Sequence, residues 1–252
     1  PNRYVLYEMT DTLKISIEKL YDIFAKYQGL SKLEGSPFYD DLESWNNQLK
    51  SKELRELTDE DLSLFAGKAI LTWGDENDYR FYLPRILELT AELKTPYDIW
   101  TLYSRLEDAN WKTWDIEEQT AINNFTLELW NSLLNDNSEK AEWQFKDYFH
   151  TIANFYPDFT QVLKVWETND SLASIKHLTN YIFEERQHLF DNNYIDSVEK
   201  NTKNIQQFKT WLTSDKIIKE IEKAFFDNEM NKIAERLSRV EQILTNEKKY
   251  ST

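Results

Sequence analysis

The chain has 252 residues, of which 40% are hydrophobic and 15% aromatic, so nine Trp, fourteen Tyr and fourteen Phe can fill a core despite a mean hydropathy of −0.70. It contains no Cys, which excludes disulfides, thiolate metal sites and cysteine nucleophiles, and only four Gly, which leaves little turn chemistry for a hairpin-rich sheet. Thirty basic residues against 45 acidic give a formal charge of −15, a balance that disfavours phosphates and anionic lipid and favours basic partners.

In chain order, Thr10-Asp11-Thr12 predicts the start of a helix with Leu13, Ile17, Leu20 and Phe24 on one face, ending before Gln28-Gly29. A loop to Pro37 precedes a second helix from about Asp41 to Lys50, with Leu42, Trp45 and Leu49 inward. Thr58 and Asp61 have the spacing of a capping box. The stripe Leu62, Phe65, Ala66, Ala69, Ile70 and Trp73 then predicts a helix running on to Gly74, which ends it. Asp75, Glu76 and Asp78 open the next helix, where three carboxylates complement the helix dipole. Its inner stripe is Tyr79, Tyr82, Leu83, Ile86, Thr90 and Leu93, and Pro84 is expected to delay regular helix until about Leu83.

Within this region the run TWGDENDYRFYLPRILEL, Thr72 to Leu89, resembles uncharacterised bacterial proteins that carry a Trp-Gly, an acidic residue before an aromatic-Arg pair, and a Leu-Pro-Arg. The resemblance covers under a tenth of the chain; it implies a bacterial origin and transfers no catalytic residue.

Beyond it, Thr95-Pro96-Tyr97-Asp98 reads as a cap, a first-turn proline and an acidic third position before Ile99, Trp100, Tyr103 and Leu106. Asp115 with Glu118 opens a helix bearing Ile122, Phe125, Leu129 and Leu133. Ser138 opens another with Ala141, Phe145, Tyr148, Phe149 and Ile152, and Pro157 separates it from Val162, Leu163 and Trp166. Ser171 begins a long helix through Leu178, Ile182 and Leu189, broken at Asp191-Asn192-Asn193; Val198, Ile205, Phe208 and Trp211 suggest the next, and Ser214-Asp215 and Asn228 introduce the last two. The expectation is all-α: about ten antiparallel helices in a HEAT-like superhelix or a compact bundle, one domain over 1–252 with a softer boundary near 191–198.

The sequence contains neither a phosphate-binding loop nor a nucleophile elbow. Its only metal-like spacings are Asp147-x-x-His150 and Glu185-x-x-His188, each placing a carboxylate and an imidazole one helical turn apart. Carboxylate-bridged di-metal bundles also need a lone Glu on each of two further helices, so these histidines, and His177, read as structural. Residues 1–198 hold 19 basic against 36 acidic residues, and 199–252 hold 11 against 9, so the acidity lies in the first four fifths.

These features lead us to expect a non-enzymatic, acidic helical module that binds a basic protein partner, most concretely a bacterial immunity protein neutralising a basic toxin domain. Expected contact residues are Trp73, Asp75, Glu76, Asp78, Arg80, Arg85, Trp111, Trp114 and Asp115, because aromatic anchors dominate interfaces. No cofactor, metal, nucleic acid or membrane is expected. A carboxylate- or metal-dependent helical enzyme using Asp147, His150, Glu185 and His188 is the alternative, and a peptide-binding scaffold a further one. The first twenty residues lack a basic segment followed by an apolar run, and cytoplasm is the expected location.

Overall fold

The computed structural model describes residues 9–29, 32–195, 202–228 and 233–250. Among them the backbone forms twelve α-helices and no β-strand, so the fold is all-α. The chain divides into two compact units, residues 7–129 and 130–252.

The first unit contains α1 (Asp11–Phe24), α2 (Leu42–Leu49), α3 (Asp59–Lys68), α4 (Glu76–Ala91), α5 (Ile99–Asp108) and the first part of α6 (Ile116–Asn135). Side-chain caps set most starts: Thr10 accepts the Leu13 amide, and Thr58 accepts that of Asp61. Helix α1 buries the four predicted residues, Leu13, Ile17, Leu20 and Phe24, and packs on α4. In α2 the buried positions are Asn46 and Leu49, while Leu42 and Trp45 are half-buried. Asn46 is inside because its amide bonds both the N–H and the C=O of Leu33, at 3.0 Å each, satisfying a loop backbone that has no helix or sheet to join.

Three expectations for this unit are corrected. Helix α3 ends at Lys68 rather than running to Gly74. Ala69 is extended and Ile70 has φ +69°, so the chain reverses and turns Trp73 inward against Trp45 and Phe65, with ring centroids 5.4 Å away in both cases. Helix α4 is regular from Glu76 onward, with Pro84 buried inside it. A strong cap at Asp75, and the buried stripe of Tyr79, Tyr82, Leu83 and Ile86, hold the helix through the missing proline N–H. The cap of α5 is Asp98, which accepts the Thr101 amide at 2.7 Å; Thr95 and Pro96 precede the helix.

The second unit contains the end of α6, then α7 (Glu139–Phe155), α8 (Phe159–Glu167), α9 (Leu172–Arg186) continued by a π-turn over 187–191, α10 (Thr202–Leu212), α11 (Asp215–Asp227) and α12 (Ala234–Tyr250). Helix α9 packs on α7, α11 and α12. Ser138, Ser171 and Ser214 cap as read from the sequence, whereas Asn228 is the C-cap of α11, its N–H bonding the Phe225 carbonyl, and α12 is described from Ala234. Val198 lies outside the described residues.

This unit's core is an aromatic cluster. Phe149 lies 5.6 Å from Trp130, 5.3 Å from Trp166, 5.1 Å from Tyr181 and 5.0 Å from Phe208. Such pairs contribute about 0.5–1.5 kcal/mol each beyond the area they bury. The Trp130 indole donates to the Val162 carbonyl at 3.1 Å, so its polar edge is satisfied within the core.

Candidate protein-docking face

The first unit holds 13 Lys and Arg against 25 Asp and Glu, net −12, so most of the chain's negative charge lies on it. All nine residues expected from the sequence to contact a partner belong to this unit too, but their roles differ.

Trp73, Trp111 and Trp114 are core residues, each 4% exposed or less. They cannot serve as surface anchors, because their area is already spent in packing; the sequence pattern marks where a large side chain sits, not on which side of the surface it lies. Asp75 is the N-cap of α4, and Asp78 is buried as the third member of its capping box. Burial pushes the Asp78 carboxyl above the usual carboxylate range, against the bond from the Asp75 amide. Glu76 pairs with Arg80 one turn on.

Arg80 is held in the structure rather than offered to solvent. Its guanidinium lies 4.2 Å from the Trp114 ring and donates to the Tyr27 hydroxyl at 2.5 Å. Tyr27 in turn donates to fully buried Glu118, which Lys26 approaches at 3.1 Å. Arg85 donates to the Leu57 carbonyl at 2.7 Å and to Glu88 at 2.6 Å. Exposed Asp115 pairs with Lys26 at 2.7 Å, and that contact holds its carboxyl below the usual range.

What the sequence missed is the surface that the Trp73 turn carries. Leu71 donates its amide to the Ala69 carbonyl at 2.8 Å across Ile70, whose φ is +69°. This is a γ-turn of the rare, strained hand, and a β-branched residue at positive φ is an outlier. It leaves Leu71 57% exposed. Beside it runs the 32–41 loop, in which Phe38 is 90% exposed. Three hydrogen bonds fasten the two loops: Gly74 N–H to the Glu34 carbonyl at 2.7 Å, Ser36 N–H to the Thr72 carbonyl at 2.8 Å, and the Tyr39 hydroxyl to the Thr72 hydroxyl at 2.8 Å. Gly74, at φ +72°, takes a conformation that a side chain would strain.

Lys68 donates to the Tyr39 hydroxyl at 3.1 Å; the bond to Thr72, and then Lys68, hold that hydroxyl below the usual tyrosine range. The exposed charged residues of the two loops and the start of α2 are mostly carboxylates, Glu34, Asp40, Asp41, Glu43 and Asp75, with Lys32 the one exposed cation among them.

Local rules are also broken in and just after this turn. Besides strained Ile70, the Trp73 indole N–H, one oxygen of Asp78 and Nε of Arg80 are buried without a hydrogen-bond partner; these are three of eight such atoms among the described residues. Such conflicts concentrate where structure is held for function.

No protein-family model, curated protein or solved structure matches the chain.

In the second unit, the two metal-like spacings do not assemble a cation site. His150 is buried, with Nε2 3.0 Å from the Tyr181 hydroxyl. Glu185 accepts from Lys146 at 2.6 Å and meets His188 at 3.2 Å, and Asp147 is exposed. Burial pushes the Glu185 carboxyl up, but Lys146 and His188 outweigh it and hold the group below its ordinary value. Among the described residues, no three His, Asp or Glu side chains are grouped to hold a metal ion. No helix of the described residues is long and apolar enough to cross a membrane.

Proposed function

We propose that this chain is a non-enzymatic binding module whose 32–41 and 69–75 loops dock a basic protein. The single observation that carries the reading is the pair of exposed apolar side chains, Phe38 and Leu71, on two loops that are fastened to each other and rich in exposed carboxylates. A pre-fastened loop loses little entropy on binding, an aromatic and an aliphatic anchor supply the apolar contact, and the net charge of the unit steers a cationic partner toward it. An immunity protein that covers a basic toxin domain is the most concrete form of such a module. In that form the acidic face accelerates association, and the apolar pair slows release.

The test is affinity capture from the native cell lysate at low salt and at about 0.5 M salt, where screening shortens electrostatic reach to a few ångströms. Phe38→Ser and Leu71→Ser are run in parallel. One basic protein recovered by the native chain, weakened by salt and lost with both variants, supports the reading; recovery unchanged by both substitutions removes it.

A further inference from the structure

A second site, independent of the docking loops, lies in the 130–252 unit. Four residues along one stripe of α9, Leu172, Lys176, Asn180 and Phe183, face a groove of about 510 Å³ and a smaller one of about 190 Å³ beside it. Arg236 of α12 lines both. The larger volume falls in the range of small-molecule sites.

The groove's charges are already arranged. Glu142 lies in it and would repel an anion, but its two oxygens are occupied: Oε2 accepts from Lys176 at 2.8 Å and Oε1 from Asn180 at 2.6 Å. Lys176 thereby offsets it. Asn180 then uses its amide oxygen to hold one guanidinium nitrogen of Arg236 at 2.5 Å, while Phe183 supports the guanidinium from 5.0 Å. Arg236 has no carboxylate partner among the described residues, although the chain carries 15 more acids than bases. Arg239, the next cation on the same helix, is paired with Glu235. An oriented, half-buried guanidinium without an ion-pair partner among the described residues is the group that recognises carboxylates through two parallel N–H bonds. Apolar surface lies in the same groove, from half-exposed Leu172 and from Ile233.

From this arrangement we infer that the groove binds an organic carboxylate with an apolar body, its carboxylate on Arg236 and its body against Leu172 and Ile233. The carboxylate can come from a free acid or from a peptide C-terminus, and the experiment separates the two.

Isothermal titration of the full chain uses octanoate, its uncharged counterpart octanamide, and a hexapeptide ending in Leu as the free acid and as the C-terminal amide. Saturable binding of octanoate, absent with octanamide and weakened about tenfold or more by Arg236→Gln, establishes a site for free acids. The same pattern with the peptide acid alone, absent with its amide, establishes a peptide terminus as the ligand. Leu172→Glu is the second variant; at an exposed position it leaves the core untouched and places a negative charge in the groove, so it weakens binding even where Arg236→Gln perturbs folding. No saturable binding of either acid at millimolar concentration, equal binding of the uncharged probes, or affinity unchanged in both variants overturns the inference.

Discussion

Asp75 and Asp78 cap each other: the Asp78 carboxylate accepts the Asp75 amide at 2.9 Å, and the Asp75 carboxylate accepts the Asp78 amide at 3.0 Å. The same box occurs 17 residues earlier between Thr58 and Asp61, but the two third-position carboxylates live in opposite environments. Asp61 is bonded first by Lys52 and then by the Thr58 amide, which lower its pKa to about 2 from 3.8. Asp78 is buried with one oxygen unpartnered, which raises it. A carboxylate with a depressed folded pKa contributes stability that is present above the unfolded value and lost as pH falls through the folded one; a raised one does the reverse. Asp61→Asn therefore costs about 1–2 kcal/mol near neutral pH, shrinking below about pH 4. Asp78→Asn costs less near neutral pH, and its cost grows on acidification. Urea titrations of both variants at several pH values read the opposite slopes directly.

Ile70 offers a contrast with its neighbours in sequence. Its side chain is half-buried and its backbone sits at φ +69°, where a β-branched residue is strained and Asn is tolerated. Ile70→Asn is expected to cost under about 1 kcal/mol, because relief of backbone strain offsets the lost apolar contact. Ile86→Asn, at a fully helical position 1% exposed, is expected to cost about 3 kcal/mol or more. Thermal melts of the two variants side by side check this; a large loss at Ile70 would mean that the turn is held by its side chain and is not strained.

Much of the fold was legible because caps and stripes are local. Thr10, Thr58, Asp75, Ser138, Ser171 and Ser214 each announce a helix by a side-chain oxygen two or three residues from the amide it accepts, and all six do so. The α5 cap, at Asp98 and not Thr95, and the helix end at Asn228 are local signals placed a few residues off, whereas the failure at the Trp73 turn is non-local. Ala69 and Trp73 are inward as their spacing suggests, but helix periodicity cannot reveal that the backbone between them leaves the helix to bond residues 34–36, more than thirty positions away. For the same reason sequence alone leaves open whether Trp73, Trp111 and Trp114 are core or contact residues: burial depends on what the rest of the chain brings, here Trp45 and Phe65 around Trp73, and Arg80 over Trp114. Phe38 carried a faint signal, an aromatic next to Pro37 in a loop too short of apolar neighbours to bury it. Asn46 and Arg236 carried none, since each acquires its role only through a partner on another element.

Phe38 and Leu71 have a separable consequence. Both side chains are exposed, at 90% and 57%, so their removal costs little packing. Phe38→Ser with Leu71→Ser is expected to shift the thermal midpoint by no more than about 2 °C, while aggregation of the free chain falls because an apolar patch is gone. Differential scanning calorimetry with light scattering measures both. A large drop in the midpoint would show the loops to be part of the core's support and would detach them from docking.

His177 contributes to how the second unit responds to acid. Its ring is 2% exposed, stacks on Phe145 at 4.5 Å with the planes 4° apart, and places Nε2 2.8 Å from the Asp136 carbonyl. Burial lowers its pKa from 6.5; the Asp136 bond and the charges of Glu142 and Asp136 pull the other way, and Lys176 adds to the lowering. The folded state thus binds the proton less readily than the unfolded one. Its contribution to stability is present above about pH 6.5 and is lost as pH falls from there toward the lower folded value. His177→Gln removes the titrating group while keeping an amide donor for the Asp136 carbonyl. The native chain is expected to lose stability more steeply than this variant between about pH 6.5 and pH 5, with the two running parallel above about pH 7, because the His177 imidazole is the only titrating group by which they differ. Urea midpoints followed by Trp fluorescence across this range decide it: parallel curves throughout would mean that the folded ring accepts its proton as readily as the unfolded one, with the stack on Phe145 surviving the charge.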